Sequence, residues 1–253
     1  MQLPKNKFKA GLAIHELQIG LWSTSGSNIV AEVIGYSGFD WIVLDTEHSP
    51  NELPDLVSQM QALATGTASV VVRPAWNDKV LIKRILDMGA QSLVIPFVQN
   101  AEEAKAAVAA TRYPPEGIRG VAGGSRAGKF GYIKDYLHVA ADEIAVIVQI
   151  ETGEALEQIE AIAKVDGVDG VFIGPADLSA SMGHIGNQNH EDVQNALKSA
   201  AETLKTLNKS AGILAFDPDD IKRYIEWGYT FIAVGSDLSI LRNGAQQLAQ
   251  QYR

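Results

Sequence analysis

Eight short apolar runs, each followed by a stretch of helical period, constrain the fold of this chain more than any other feature. The runs are QIGLW (18–22), DWIVLD (40–45), SVVVR (69–73), SLVIP (92–96), IAVIVQIE (144–151), DGVFIG (169–174), AGILAF (211–216) and TFIAVG (230–235). Several are apolar at consecutive positions, the pattern of parallel strands covered on both faces. Between them lie segments such as ELPDLVSQMQALA (52–64) and AEEAKAAVAATR (101–112), amphipathic at helical spacing with charge on one side. Strand–helix alternation of this kind in 253 residues predicts an α/β fold, a (β/α)8 TIM barrel formed by residues 1–253 as one domain. The hydrophobic share of 46% is ample for one large core. One connection breaks the rhythm. RYPPEGIRGVAGGSRAGKFGYIKDYLHVAADE (112–143) is longer than a simple crossover, and its Pro-Pro and Gly-Gly steps predict an ordered excursion over the barrel mouth or towards a neighbouring subunit.

Charge and residue usage then exclude whole classes of function. The net charge is -9, with no basic run of the kind that holds nucleic acid or an anionic membrane. An acidic chain that handles an anionic substrate needs a local cation, either Arg/Lys or a metal. The absence of cysteine removes disulfides, thiolate nucleophiles, zinc–thiolate sites and iron–sulfur clusters. The start MQLPKNKFKAGL lacks the apolar core of a signal peptide, and no apolar run approaches membrane-spanning length. A cytoplasmic protein acting on small molecules is the expectation.

In a TIM barrel the reacting groups stand at the C-terminal ends of strands and in the loops that follow. Those positions here hold Trp22, then Asp45, Glu47 and His48, Arg73, Pro96, Gln149 and Glu151, Gly174 to Asp177, Leu214, and Gly235 to Asp237. Glu151 and Asp177, from adjacent strands, suit a hard divalent cation; they equally suit a helix-start acid and an N-cap. Arg73 can stabilise an oxyanion or form a structural salt bridge, with Asp45 as partner. His48 is the one histidine just beyond a strand end, open to a role as proton acceptor or as a surface or capping residue. GGSRAGK (123–129) fits a phosphate-loop spacing, but Phe130 replaces the hydroxyl residue that motif needs, and no strong buried strand precedes it. No lysine ends a strand, which disfavours Schiff-base chemistry.

Taken in order, LDTEHSP, VVRPAWND, TRYPPEGIRGV, VQIE and GVDGVFIGPADLSASMG resemble the HpcH/HpaI family of metal-dependent class II pyruvate aldolases, near its 4-hydroxy-2-oxoheptanedioate and 2-dehydro-3-deoxyglucarate aldolase branches. The likeness runs from about Asn6 to the C-terminus. It implies a lyase that reversibly cleaves 4-hydroxy-2-oxo acids to pyruvate and an aldehyde, such as succinic or tartronate semialdehyde. By the same resemblance Glu151 and Asp177 hold Mg2+, Mn2+ or Co2+, His48 is the proton acceptor, Arg73 stabilises the oxyanion, and Asp87 raises the basicity of His48. Gln149 and the segment Gly174, Pro175, Ala176 and Asp177 bind substrate, while Trp22, Phe172 and Leu214 line the acceptor pocket; VAGGSRAGKFG (121–131) follows no single family consensus and is a candidate to shape the aldehyde end. Asp45 and Glu47 are left as orienting or salt-bridging acids. Family members are typically homohexamers, dimers of trimers that exchange C-terminal helices, a use open to SILRNGAQQLAQQYR (239–253). The competing expectations are another metal-enolate lyase acting on an acyl-CoA or phosphoenolpyruvate, and a keto-acid-binding barrel without turnover.

Overall fold

A computed structural model describes residues 1–253. Eight parallel strands close into a barrel in sequence order: β1 (Gln18–Ser23), β2 (Trp41–Asp45), β3 (Ser69–Arg73), β4 (Ser92–Ile95), β5 (Ala145–Ile150), β6 (Gly170–Ile173), β7 (Ser210–Leu214) and β8 (Phe231–Ser236). Each of the eight expected runs forms one strand. β2, β4, β5 and β6 are buried at every position, the reason their sequences do not alternate. Helices start where the local chemistry allows. Ser27, Asp78 and Asn100 each accept a hydrogen bond from a backbone N–H of the first turn, satisfying donors that have no partner within the helix. The expected helices appear as Leu53–Leu63 and Ala101–Thr111.

Two apolar layers hold the barrel together. The larger lies between strands and outer helices and includes Leu44, Leu56, Ile82, Leu93, Val148 and Leu197. The smaller fills the barrel interior, where Trp22, Trp41, Phe172 and Phe231 meet Val43, Val71 and Ile147. A helix that the sequence reading did not assign, Lys7–Ala13, closes the bottom of this interior with Phe8 and Leu12. Phe8 packs at 5.4 Å from the Trp41 ring and 5.8 Å from Phe231. The aromatic filling dictates a glycine: a Cβ on Gly20 would stand 2.2 Å from the Trp41 ring.

Strand register places the site. Asp45 pairs with Arg73 between β2 and β3, each the last residue of its strand. Neighbours in register on parallel strands point to the same face, so these two side chains meet at the mouth. Gln149 pairs with Phe172 between β5 and β6 in the same way.

The segment 112–143 departs from the first of its two expected courses. It contains short helical turns at Arg126–Gly131, Tyr136–Val139 and Ala140–Glu143, but within this chain it does not cross the mouth. Helix Ala101–Thr111 has already returned the chain to the N-terminal ends of the strands, and β5 starts from that end. The contacts agree: Arg126 Nη1 donates to the Met88 carbonyl at 2.6 Å, and Glu143 Oε2 accepts from the Asn6 backbone at 2.7 Å. Loop 121–131 therefore shapes no part of this chain's own mouth. The phosphate-loop spacing inside it has no structural counterpart, since Lys129 and Phe130 take left-handed backbone angles and open no helix behind a strand. At the other end of the chain, helix Asp237–Gln251 stands out from the barrel with Leu238, Ile240, Leu241 and Leu248 exposed. No helix is long and apolar enough to cross a membrane.

Candidate active site

A cavity of about 170 Å3 opens at the C-terminal ends of the strands. It is lined by Trp22, His48, Arg73, Gln149, Phe172, Gly174, Pro175, Ala176, Asp177 and Leu214, together with Gln188 and Phe216. All but the last two were singled out from the sequence. A larger groove of about 890 Å3 runs along helix Asp237–Gln251, but it lacks the acids that surround the smaller cavity.

Arg73 organises the charge. Its Nε donates to Asp45 Oδ1 at 2.8 Å and its Nη2 to Asp45 Oδ2 at 2.6 Å, a two-pronged pairing. Nη1 lies 2.9 Å from Glu47 Oε2 in an ion pair whose angle falls outside hydrogen bonding. Asp45 also accepts from the Trp22 indole at 3.2 Å, and the Arg73 guanidinium sits 5.0 Å from the Trp22 ring. Burial would raise the Asp45 carboxyl, but the Arg73 hydrogen bonds and charge outweigh it and hold the group below its usual range. Asp45 thus meets Arg73 as the sequence suggested, and Glu47 does so as well.

Glu151 is buried just past β5. The Phe97 backbone N–H donates to its Oε1 at 2.8 Å, and Gln149 Nε2 donates to its Oε2 at 2.5 Å. Phe97 reaches it only by adopting a left-handed φ of 54°, uncommon for a bulky residue; its ring stacks on Trp76 at 5.4 Å. Gly174 leaves the room, since a Cβ there would approach Glu151 Oε2 to 2.7 Å. No cation bonds to Glu151. Burial, with the neighbouring charges of Glu47 and Asp177, pushes it to about 7 against the hydrogen bonds from Gln149 and Phe97. Glu47 is likewise pushed to about 7, by burial first, with Arg73 opposing and Asp45 and Asp177 adding.

Asp177 is exposed in the first turn of helix Pro175–Ser181, whose N-terminus follows Gly174. His48 stands at the rim, its side chain 66% exposed and its Nε2 4.0 Å from Glu47 Oε2. Asp87 does not join this group within one chain. It ends helix Lys79–Asp87, which runs away from the mouth, and it accepts from the buried Arg119 at 2.7 Å. Asp237 sits at its expected strand end but ties the chain together, accepting from Ser23, from Thr24 and from the backbone of Ser25.

The mouth therefore gathers Asp45, Glu47, Glu151 and Asp177 around one guanidinium that Asp45 already engages. Gln149 Oε1 and Glu47 Oε2 are buried without hydrogen-bond partners. A hard, oxygen-seeking divalent cation fits this donor set: it would offset the excess of negative charge and relieve the pressure on Glu151.

Sequence reasoning missed Phe97, Gln188 and Phe216, and it undervalued Glu47. A positive φ on phenylalanine has no signature in the residue string, and Gln188 reaches the cavity from a loop after helix Pro175–Ser181.

Comparison with known proteins agrees with this geometry. Over 248 residues the chain is 50% identical to the 5-keto-4-deoxy-D-glucarate aldolase of Enterobacter sp. (strain 638), covering 98% of this chain and 97% of that one. It is 51% identical over 252 residues to the pyruvate aldolase of Rhizobium etli, covering 100% and 99%. A crystal structure of an HpcH/HpaI aldolase/citrate lyase family protein from Burkholderia cenocepacia J2315 superposes with a TM-score of 0.95 at 39% identity, covering 98% and 99%. Residues 18–244 match the family described as HpcH/HpaI aldolase/citrate lyase, and the chain belongs to that family.

Proposed function

We propose that this chain is a divalent-metal-dependent class II pyruvate aldolase that reversibly cleaves 4-hydroxy-2-oxo acids to pyruvate and an aldehyde. The observation that carries the reading is Glu151, a buried carboxylate that forms no salt bridge and lies within electrostatic reach of Arg73, Glu47 and Asp177. Glu151 and Asp177 would hold the cation, which supplies charge to orient the pyruvyl oxygens and to stabilise the enolate. Mg2+, Mn2+ and Co2+ all suit two carboxylates with remaining oxygen ligands.

The chain's own residues account for the remaining chemistry. Arg73 has five N–H donors; two are hydrogen-bonded to Asp45, which leaves N–H groups on both Nη atoms for a substrate oxygen. Those donors stabilise charge as it moves onto the keto oxygen. Gln149 and the backbone at Gly174 to Ala176 position the pyruvyl half. His48 takes the proton from the C4 hydroxyl, the C3–C4 bond breaks, and its electrons pass to the enolate. The aldehyde leaves, and the proton returns to C3 to give pyruvate. Trp22, Phe172, Leu214 and Phe216 offer an apolar wall to the aldehyde half. The names of the relatives support a sugar-acid substrate that yields a short carboxylate-bearing aldehyde.

His48 stands exposed in the single chain, and Asp87 lies at the far end of the barrel. A His48–Asp87 pair can therefore form only between copies. The homohexamer expected from the family would be the place for such a pair, and the exposed apolar side chains of helix Asp237–Gln251 support an assembly.

The test is pyruvate release from a panel of 4-hydroxy-2-oxo acids with and without chelator. Metal-restored release, lost in His48→Ala while metal binding persists, is the expected result. Full turnover in excess chelator would overturn the scheme.

A further inference from the structure

The connection between helices Pro175–Ser181 and Glu191–Thr206 carries a second group of metal-binding side chains, separate from the acids at the mouth. His184 Nε2 lies 3.2 Å from Asp192 Oδ2, and His190 Nδ1 lies 3.5 Å from the same oxygen. The donor atoms of all three residues fall within 4.8 Å of one another, and no other His/Asp/Glu group of three in the chain does so. A tetrahedral ion with bonds of about 2.0–2.1 Å spaces its ligand atoms by about 3.3–3.4 Å. The two edges lie on either side of that spacing, the shorter one closed by a hydrogen bond between His184 Nε2 and Asp192 Oδ2.

We propose that His184, His190 and Asp192 form a second metal site, selective for a borderline transition ion such as Zn2+, Ni2+ or Co2+. Two imidazoles and one carboxylate favour such ions over Mg2+, which prefers oxygen ligands alone. His184 is partly exposed and Asp192 largely so, leaving an entry path and room for water at the open position. Asp192 and Glu191 offset the positive end of helix Glu191–Thr206 that a cation would otherwise oppose.

Three features set the cost of loading. The Asp192 backbone N–H donates to His190 Nδ1 at 3.3 Å and must release it, and the hydrogen bond between His184 Nε2 and Asp192 Oδ2 at 3.2 Å must open. The imidazoles are stacked, with ring centres 3.5 Å apart and planes 14° from parallel. An ion in the plane of one ring lies outside the plane of the other, so one ring turns out of the stack on binding.

The consequence reaches the catalytic cavity. Gln188, between the two histidines in the chain, lines that cavity. An ion that ties His184 to His190 and Asp192 fixes both ends of this connection and the wall that Gln188 presents to the aldehyde half of the substrate.

The experiment is calorimetric titration of the full chain with Zn2+ under saturating Mg2+, at a pH above the ordinary imidazole range of about 6.5. Co2+ absorption in the visible range reports nitrogen ligation. One Zn2+ equivalent is expected in the wild type and in Glu151→Gln. It should weaken at least 10-fold in His184→Gln and in His190→Asn, the latter retaining a helix-capping side chain. Equal Zn2+ binding by the wild type and both histidine variants would overturn the site, as would loss of the ion in Glu151→Gln. Because the readout is binding, a failure of the aldolase assignment leaves this result interpretable.

Discussion

Replacing Glu151 by glutamine should stabilise the metal-free protein while abolishing its proposed metal site. The folded-state carboxyl is raised from 4.5 to about 7, chiefly by burial. Below about pH 4.5 folded and unfolded chains both hold the proton, and the group has no effect on stability. Between about 4.5 and about 7 the unfolded chain releases the proton and the folded chain keeps it. Stability then falls as pH rises, by up to about 1.4 kcal/mol per unit. Above about 7 the penalty is complete, at about 3 kcal/mol. Glutamine carries no charge to bury. Its amide nitrogen can donate to Gln149 once that side chain flips, because Gln149 Oε1 has no partner in the wild type. The assay is urea unfolding of chelator-treated wild type and Glu151→Gln between about pH 5 and about pH 8. Asp45, Glu143 and Asp237 are held below their usual range by hydrogen bonds and, for Asp45 and Glu143, a paired cation, and all three are present in both proteins. Glu47 is also raised to about 7 and its charge acts on Glu151, so the difference between the curves reports Glu151 together with its coupling to Glu47. The variant should exceed the wild type by less than about 1 kcal/mol near pH 5 and by about 3 kcal/mol near pH 8. Adding Mg2+ should raise only the wild type, and more at high pH, because proton and metal compete for one carboxylate. Parallel pH profiles for the two proteins would refute the reasoning.

Three further outcomes follow from the same structure. Arg73→Met leaves Asp45 buried without its counter-charge and should lower unfolding stability by about 3–5 kcal/mol, measured by urea titration. Phe97→Pro removes the N–H that binds Glu151 and cannot take a positive φ, whereas Phe97→Gly keeps both; calorimetry should show metal affinity at least 10-fold weaker in the proline variant and close to wild type in the glycine variant. Phe8→Ala empties the bottom of the barrel interior and should cost about 3–5 kcal/mol in unfolding free energy, while pyruvate release by the folded variant stays near normal.

The strands and the residues at their ends were legible because parallel strands buried on both faces must be apolar throughout, so a polar residue in or just after such a run stands out. Asp45, Arg73, Gln149 and Glu151 could be chosen on that ground. The face occupied by segment 112–143 was also implied by chain order, since a connection from helix to strand lies at the N-terminal end of a parallel barrel; its length and glycine content drew attention to the mouth instead. Asp87 entered only through family resemblance, and its helix carries it away from the histidine it was meant to serve.

By itself, then, the sequence determined an eight-fold strand–helix alternation, hence a closed parallel barrel, and which side chains stand at its catalytic end. Only the tertiary structure decided how those side chains share their charge. The β2–β3 register set Arg73 on Asp45, the left-handed turn at Phe97 aimed a backbone donor at Glu151, and burial raised Glu151 and Glu47 to about 7. The reason is physical: local pattern records which faces are buried, whereas a carboxylate's proton affinity depends on neighbours and solvent exclusion contributed by strands far apart in the chain.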